Sequence, residues 1–313
     1  MFGVGSRAPG AGPASRRTIA VMDYGLILPS LGDDATREGI DAAGEIAERL
    51  GFTDVWTTDH LLVDASAADD YGRIFEAVTT LAYLAGRTTT VRLGASVIVV
   101  PMRNAVVLAK ELATIDNLSR GRVIAGVGVG WSRAEFANVG VADRFAVRGA
   151  YTDETVRLWR HLWSGADWPF HGRFHTFDDF IFGPLPDRDG AIPIWIGGRQ
   201  EAALRRVGRL ADTYHASATS PSAYEPRLAV IRAAADEARR PMPALSARVR
   251  VRLDSSEPVD GYAMRGTPED VAAEIRAFAA IGVGHLALAF PAHDPGALAS
   301  QAEAFVREVV PLV

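Results

Sequence analysis

The sequence predicts an α/β fold: eight parallel strands alternating with helices, with an insertion after the fourth unit. Three observations carry this reading. Apolar runs of strand length alternate with amphipathic runs of helix length along the whole chain. The alternation amounts to about eight βα units. The chain of 313 residues has the length of a single α/β barrel. Strands separated by helices pair in parallel, and eight such units close into a (β/α)8 TIM barrel whose ligands bind at the C-terminal strand ends. An open doubly wound sheet is the alternative, usually with fewer strands and a break in their order.

The elements follow in order. Residues 19–28 form the first strand, ending at Pro29, and 35–50 a helix stopped by Gly51. Residues 53–57 are a short second strand, followed by a helix over 74–85. Residues 91–100, rich in Val and Ile, make a long third strand, with a helix over 104–118. The fourth unit is a strand at 122–129 and a helix at 150–163. Residues 164–191 break the alternation. They are aromatic, interrupted by Gly and Pro, and suggest a hairpin over 170–177 around Gly172. An excursion there is expected on the C-terminal face. The remaining units are 192–196 with 201–210, 213–216 with 222–239, 245–253 with 268–281, and 285–290 with 295–309. Residues 1–17, rich in Gly, Ala, Pro, Ser and Arg, read as a disordered tail. One domain, 18–313, remains.

Composition narrows the chemistry. Apolar residues make 48% and charged residues 23%, as in ordinary soluble proteins. A net charge of -5 disfavours binding to nucleic-acid phosphates. With no cysteine, disulfides, zinc fingers, iron–sulfur clusters and thiol nucleophiles are excluded. Lys110 is the only lysine, which argues against Schiff-base chemistry. No uninterrupted apolar run reaches the roughly 18 residues of a membrane span. No secretory signal is evident, so a cytoplasmic location is expected.

Several short patterns are candidates for function. Gly126-Val127-Gly128-Val129-Gly130 matches a dinucleotide fingerprint only in part, because Arg133 stands where a third glycine is needed. It reads as a glycine-rich strand end that a planar ligand can approach. Gly197-Gly198 followed by Arg199-Gln200 at a helix start suits an anion, with a plain tight turn as the alternative. Asp59-His60 ends the second strand, where His60 can exchange protons near neutral pH. The alternative is a helix cap at Asp59 and a buried His60. His171 and His175 are four apart in a stretch without helical character, and no carboxylate accompanies them in a metalloprotease pattern, so no metal site is expected. The ends of strands four, five, seven and eight show no carboxylate pair of the kind glycosidases use.

Together, the motifs resemble one family. They are Gly25-Leu26-Ile27-Leu28-Pro29, Gly51-Phe52-Thr53-Asp54-Val55-Trp56-Thr57-Thr58-Asp59-His60, and Arg92-Leu93-Gly94-Ala95-Ser96-Val97-Ile98-Val99-Val100-Pro101. Then come Arg103-Asn104, Leu108-Ala109-Lys110-Glu111-Leu112-Ala113-Thr114-Ile115-Asp116, Ser119-Arg120-Gly121-Arg122, Gly126 to Trp131, and Pro193-Ile194-Trp195-Ile196-Gly197-Gly198. From about Tyr24 onward the chain resembles the luciferase-like monooxygenase superfamily, in particular its coenzyme F420-dependent oxidoreductase branch.

The resemblance implies a (β/α)8 barrel with a deazaflavin or flavin at its mouth. His60, with Asp59, becomes the acid/base beside the ring. Ser96-Val97 matches a non-prolyl cis peptide behind the ring. Val129, Gly130 and Trp131 match its edge, and Gly197, Gly198, Arg199 and Gln200 the phosphate turn. Trp131 stands where sugar-phosphate dehydrogenases of the group carry an acid, so a flatter, apolar substrate is expected. Trp131, Trp168, Phe170 and Phe174 are candidates to wall its pocket, with core packing as the default reading.

The function expected is hydride transfer between coenzyme F420 and a small organic substrate. The alternatives are an FMNH2-dependent monooxygenase using O2, with FMN as cofactor, and a non-catalytic flavin-binding barrel. A homodimer is expected from the family, with Val106, Leu108 and Leu112 on an apolar helical face that suits either an interface or the core.

Overall fold

The computed structural model describes residues 22–187, 191–255, 261–292 and 294–313. The expected tail and the first residues of the first strand lie outside the described residues. Eight strands form the barrel: β1 (Asp23–Ile27), β2 (Asp54–Thr57), β3 (Arg92–Ala95, resumed at Ile98–Val99) and β4 (Val123–Gly128). They continue as β5 (Ile194–Ile196), β6 (Thr213–Ser217), β7 (Ala244–Leu253) and β8 (His285–Ala289). Each pairs in parallel with the next, and β8 pairs with β1. The barrel is closed, as the alternation predicts.

Large side chains fill its interior because glycines face them. A Cβ on Gly94 would lie 2.5 Å from the Trp56 ring, and one on Gly25 would overlap the Asp54 carboxylate. Trp56, Trp195, Ile27, Ile124 and Ala287 pack in that interior. The larger core lies between the barrel and its helices. Local signals set the helix ends: Thr36 caps Arg37–Leu50, Asn104 caps Ala105–Leu118, and a Thr267–Asp270 capping box opens Pro268–Ala280.

The structure corrects several expectations. The third strand is two pieces, with a cis peptide at Ser96–Val97 between them. The fourth-unit helix starts earlier, at Arg144–Trp163, and a separate helix Arg133–Asn138 precedes it. Strand Ala263–Gly266 pairs in parallel with the outer half of β7; four residues ending in glycine carry too little pattern to reveal it. Leu108 and Leu112 are core residues at 1% and 0% exposure, leaving Val106 and Val107 exposed on that helix.

The insertion contains the expected hairpin, Phe170–His171 with Thr176–Phe177. Its fastenings run along the helix layer, not across the mouth. Glu154 accepts N–H bonds from Arg173, Phe174 and His175. Lys110 donates to Gly183 O, Asn117 to Leu185 O at 2.6 Å, and the Asp187 N–H to Asp116 at 2.9 Å.

Candidate active site

His60 follows β2 and meets a partner from the far side of β4. Its Nδ1 lies 2.8 Å from Glu135 Oε2, while Glu135 Oε1 accepts the Leu61 N–H at 2.7 Å. Burial works to raise the Glu135 carboxyl, but hydrogen bonds from His60 and the Leu61 N–H outweigh it and hold it below its ordinary value. Glu135 therefore accepts at both oxygens, and His60 Nδ1 donates. The Tyr71 and Trp131 rings cover the imidazole, with centroids 4.2 and 5.8 Å away.

Asp59 does not cap a helix. Its carboxylate accepts the Val99 N–H at 2.8 Å and an Arg103 bond at 2.6 Å, and the same Arg103 nitrogen reaches Glu76 at 2.6 Å. Burial lowers the Arg103 pKa, but Asp59 and Glu76 reverse this and raise it overall. The cluster ties the end of β2 to the second piece of β3 and to the helix Ala77–Arg87, which Glu76 caps.

Behind these groups, Val97 packs toward two strand ends. A Cβ on Gly128 would overlap one of its γ-methyl groups, and a Cβ on Gly197 would touch the other at 3.4 Å. Gly130 has φ +74°, and a Cβ there would meet Val99 and Phe136 at 2.6 and 2.7 Å. Val129 and Gly130 are half-buried, and Trp131 is 57% exposed. Gly197 and Gly198 lead through exposed Arg199 and Gln200 into the helix Glu201–Leu210, whose N-terminus no side chain caps. Its first backbone N–H groups suit an anion.

A cavity of about 490 Å³ opens over the ends of β2, β6, β7 and β8. Thr58, Tyr71, Ser217, Arg248, Arg250 and Tyr262 are among its walls. Arg248 donates to Ser96 O at 2.8 Å and to Thr58 Oγ1 at 3.2 Å. Among the described residues no carboxylate pairs with it. Burial pulls its pKa down, opposed by Tyr71 and reinforced by Arg250. Arg248 links this cavity to Ser96, whose carbonyl it holds and which is itself buried behind the wall. The other positions assigned to the cofactor lie across the mouth, at the ends of β3, β4 and β5.

The proposed aromatic wall is not one wall. Trp131 stands with His60 and Tyr71, while Trp168 and Phe170 pack on His161 and Phe174 on Tyr151. His171 and His175 pair with Asp178 and Glu154. Among the described residues no group of His, Asp and Glu has metal-binding geometry, and no helix is long and apolar enough to cross a membrane.

Sequence reasoning missed Glu135, Arg103 and Arg248 as site residues. Glu135 lies seven residues past the end of β4 and escaped a search confined to strand ends. Its signal is the spacing Ser132-x-x-Glu135. Ser132 caps the Glu135 N–H at 3.1 Å, while the Glu135 side chain turns to His60.

Comparison with known proteins agrees with this architecture. The chain is 30% identical over 217 residues to the FMNH2-dependent dimethylsulfone monooxygenase of Pseudomonas fluorescens (strain Pf0-1), covering 67% of this chain and 57% of that protein. It is 32% identical over 174 residues to the F420-dependent glucose-6-phosphate dehydrogenase of Kineococcus radiotolerans, covering 54% and 49%. The matches thus span roughly half of those relatives' own length. The structure of the coenzyme F420 dependent tetrahydromethanopterin reductase from Methanopyrus kandleri superposes with a TM-score of 0.77 at 19% identity, covering 93% of this chain and 99% of that one; it shares the fold. Relatives thus include both F420-dependent dehydrogenases and FMNH2-dependent monooxygenases. A family model described as luciferase-like monooxygenase matches residues 22–260, more than half the chain, and the protein belongs to that family.

Proposed function

We propose that the protein is an oxidoreductase that transfers a hydride between coenzyme F420 and a small organic substrate, with His60 exchanging the accompanying proton. The His60–Glu135 pair carries this reading. A carboxylate that accepts from Nδ1 fixes the imidazole tautomer and leaves Nε2 for proton exchange. A binding barrel without catalysis has no need of that arrangement.

The residues present suit a cofactor with anionic groups. Arg248 is a partly buried cation that no carboxylate pairs with among the described residues, and a desolvated charge favours an opposite partner. Gly197, Gly198, Arg199, Gln200 and the uncapped helix start are suited to hold a phosphate. Val129, Gly130 and Trp131 border the ring's side of the mouth, and Asp59 positions that side through Arg103 and Val99. The bound deazaflavin supplies the two-electron chemistry. The chain orients it, excludes water with Tyr71 and Trp131, and holds the exchangeable proton at His60.

A second reading is an FMNH2-dependent monooxygenase, favoured by the match to the dimethylsulfone enzyme over 67% of this chain. Titration of the purified protein with each cofactor, followed by fluorescence quenching, tests the choice. F420 is expected to bind more tightly. FMN preferred by about tenfold, or about 1.4 kcal/mol, would establish the second reading. We further propose a homodimer that uses the exposed Val106 and Val107.

A further inference from the structure

A continuous hydrogen-bonded chain runs through the barrel interior, below the cavity. Ser96 Oγ lies 2.9 Å from His215 Nε2, and His215 Nδ1 lies 2.8 Å from Ser246 Oγ. Ser246 Oγ lies 2.7 Å from His285 Nδ1, and His285 Nε2 lies 2.8 Å from Asp54 Oδ1. Its members are 7% exposed or less. Asp54 is also held by Arg92 at 2.8 Å and by the Trp56 indole N–H. Burial works to raise the Asp54 carboxyl, yet His285 and Arg92 hold it far below its usual range, so it only accepts.

Proton counting leaves this chain two complete arrangements. With His285 neutral, Nε2 donates to Asp54 and Nδ1 accepts from Ser246. The Ser246 hydroxyl is then spent, so His215 Nδ1 must donate to it and His215 Nε2 must accept from Ser96. With one more proton, His285 is an imidazolium; its Nε2 still donates to Asp54, and the other three bonds reverse. His215 Nε2 then donates to Ser96, while His215 stays uncharged in both arrangements. That suits its surroundings. Burial first, then the His285 and Arg248 charges, push its pKa down to about 3, against a weaker pull from Asp54. The Trp56 and Trp195 rings flank both imidazoles and add no charge.

We propose that Ser96, His215, Ser246 and His285 form a proton relay that takes a proton at Ser96, at the break in β3, and holds it on His285 beside Asp54. A ligand O–H or N–H gives its proton to Ser96 Oγ as the Ser96 proton passes to His215 Nε2. The His215 Nδ1 proton passes to Ser246, and the Ser246 proton to His285 Nδ1. One proton leaves the ligand, one is gained by His285, and the intermediate groups end as they began in charge. His215 thereby passes a proton it cannot retain. The relay's use by a bound substrate rests on the redox reading; its existence does not.

The test is histidine ¹⁵N NMR on the unliganded protein through a pH titration. As His285 gains its charge, His215 is expected to change from the Nδ1–H to the Nε2–H form at the same midpoint, without becoming charged. Ser246→Ala removes the bridge, and the His215 change should then no longer follow His285. A wild-type His215 that keeps one tautomer down to acid unfolding, or becomes charged, overturns the relay. So does a Ser246→Ala protein that retains the coupled change. The wild-type titration decides the matter even if the variant does not fold. Cofactor titrations judge the redox reading separately.

Discussion

His60 Nδ1 lies 2.8 Å from Glu135 Oε2 across 75 positions of sequence, and the two groups are 7% and 2% exposed. The second Glu135 oxygen holds the Leu61 N–H, so one carboxylate sets both the loop after β2 and the imidazole it carries. An ionised acceptor at Nδ1 makes the far nitrogen the exchanging one.

His60→Ala is expected to lower turnover by roughly a hundredfold, the scale of a positioned acid/base. Glu135→Gln keeps a hydrogen-bonding group but removes the ionised acceptor that fixes the His60 tautomer. It should lower kcat by a smaller factor, with cofactor affinity nearly unchanged. Unaltered turnover in His60→Ala would make the pair structural.

Arg248→Met tests the cation at the cavity wall. The bonds to Ser96 O and Thr58 Oγ1 are lost, but a desolvated charge is relieved, so the melting temperature without ligand should change little. Affinity for an anionic cofactor should fall by about tenfold or more, equivalent to about 1.4 kcal/mol. Unchanged affinity in calorimetry would remove Arg248 from the binding site.

Gly94→Ala tests why the barrel interior has its composition. The added methyl would sit 2.5 Å from the Trp56 ring, whose neighbours Trp195 and His215 leave it little room. A loss of about 1–3 kcal/mol is expected in urea unfolding, the usual cost of overpacking. A wild-type midpoint would mean that Trp56 repacks freely.

The barrel was legible because its pattern is local. Each βα unit announces itself by an apolar run of strand length followed by a run of helix length, and the first helix also by its cap Thr36 and its glycine stop Gly51. His60 was legible too, since it ends a strand. Glu135 was not, because its partner stands 75 residues earlier and only closure of the barrel brings them together. Arg248 reads as one arginine in the alternating run Arg248, Arg250, Arg252, and nothing local says that the first two reach the cavity wall or that Arg248 holds Ser96. The aromatic wall failed for the opposite reason. Trp168 and Phe170 are close to each other in sequence, but their nearest cover is the helix carrying His161, away from the mouth.

A homodimer is expected to appear in light scattering at micromolar concentration. Val107, 52% exposed on the helix Ala105–Leu118, is the position to alter. Val107→Asp places a charge on the face without touching the buried Leu108 and Leu112, so it should yield a folded monomer. A monomeric wild-type protein would end the expectation.

The last prediction concerns acid. His215 is 1% exposed, and its pKa is lowered from 6.5 to about 3 by burial, with His285 and Arg248 adding to the effect. Between those values the unfolded chain binds a proton at this side chain and the native chain does not. Unfolding therefore takes up a proton, and stability falls as the pH falls. The contribution is complete above about pH 6.5 and declines toward about pH 3, by at most about 1.4 kcal/mol for each pH unit. Asp54 has the same sign but a later window. Its carboxyl is held below its ordinary value, so its contribution begins to fade only near the unfolded carboxyl pKa of about 3.9. Acid weakening should therefore begin well above the carboxylate range. His215→Gln retains hydrogen-bonding capacity but cannot take up the proton on unfolding. The variant should be less stable at neutral pH and lose less between pH 6.5 and 4.5. Urea midpoints of both proteins across that interval measure the difference in slope, and parallel slopes would show that His215 is not held neutral in the native barrel.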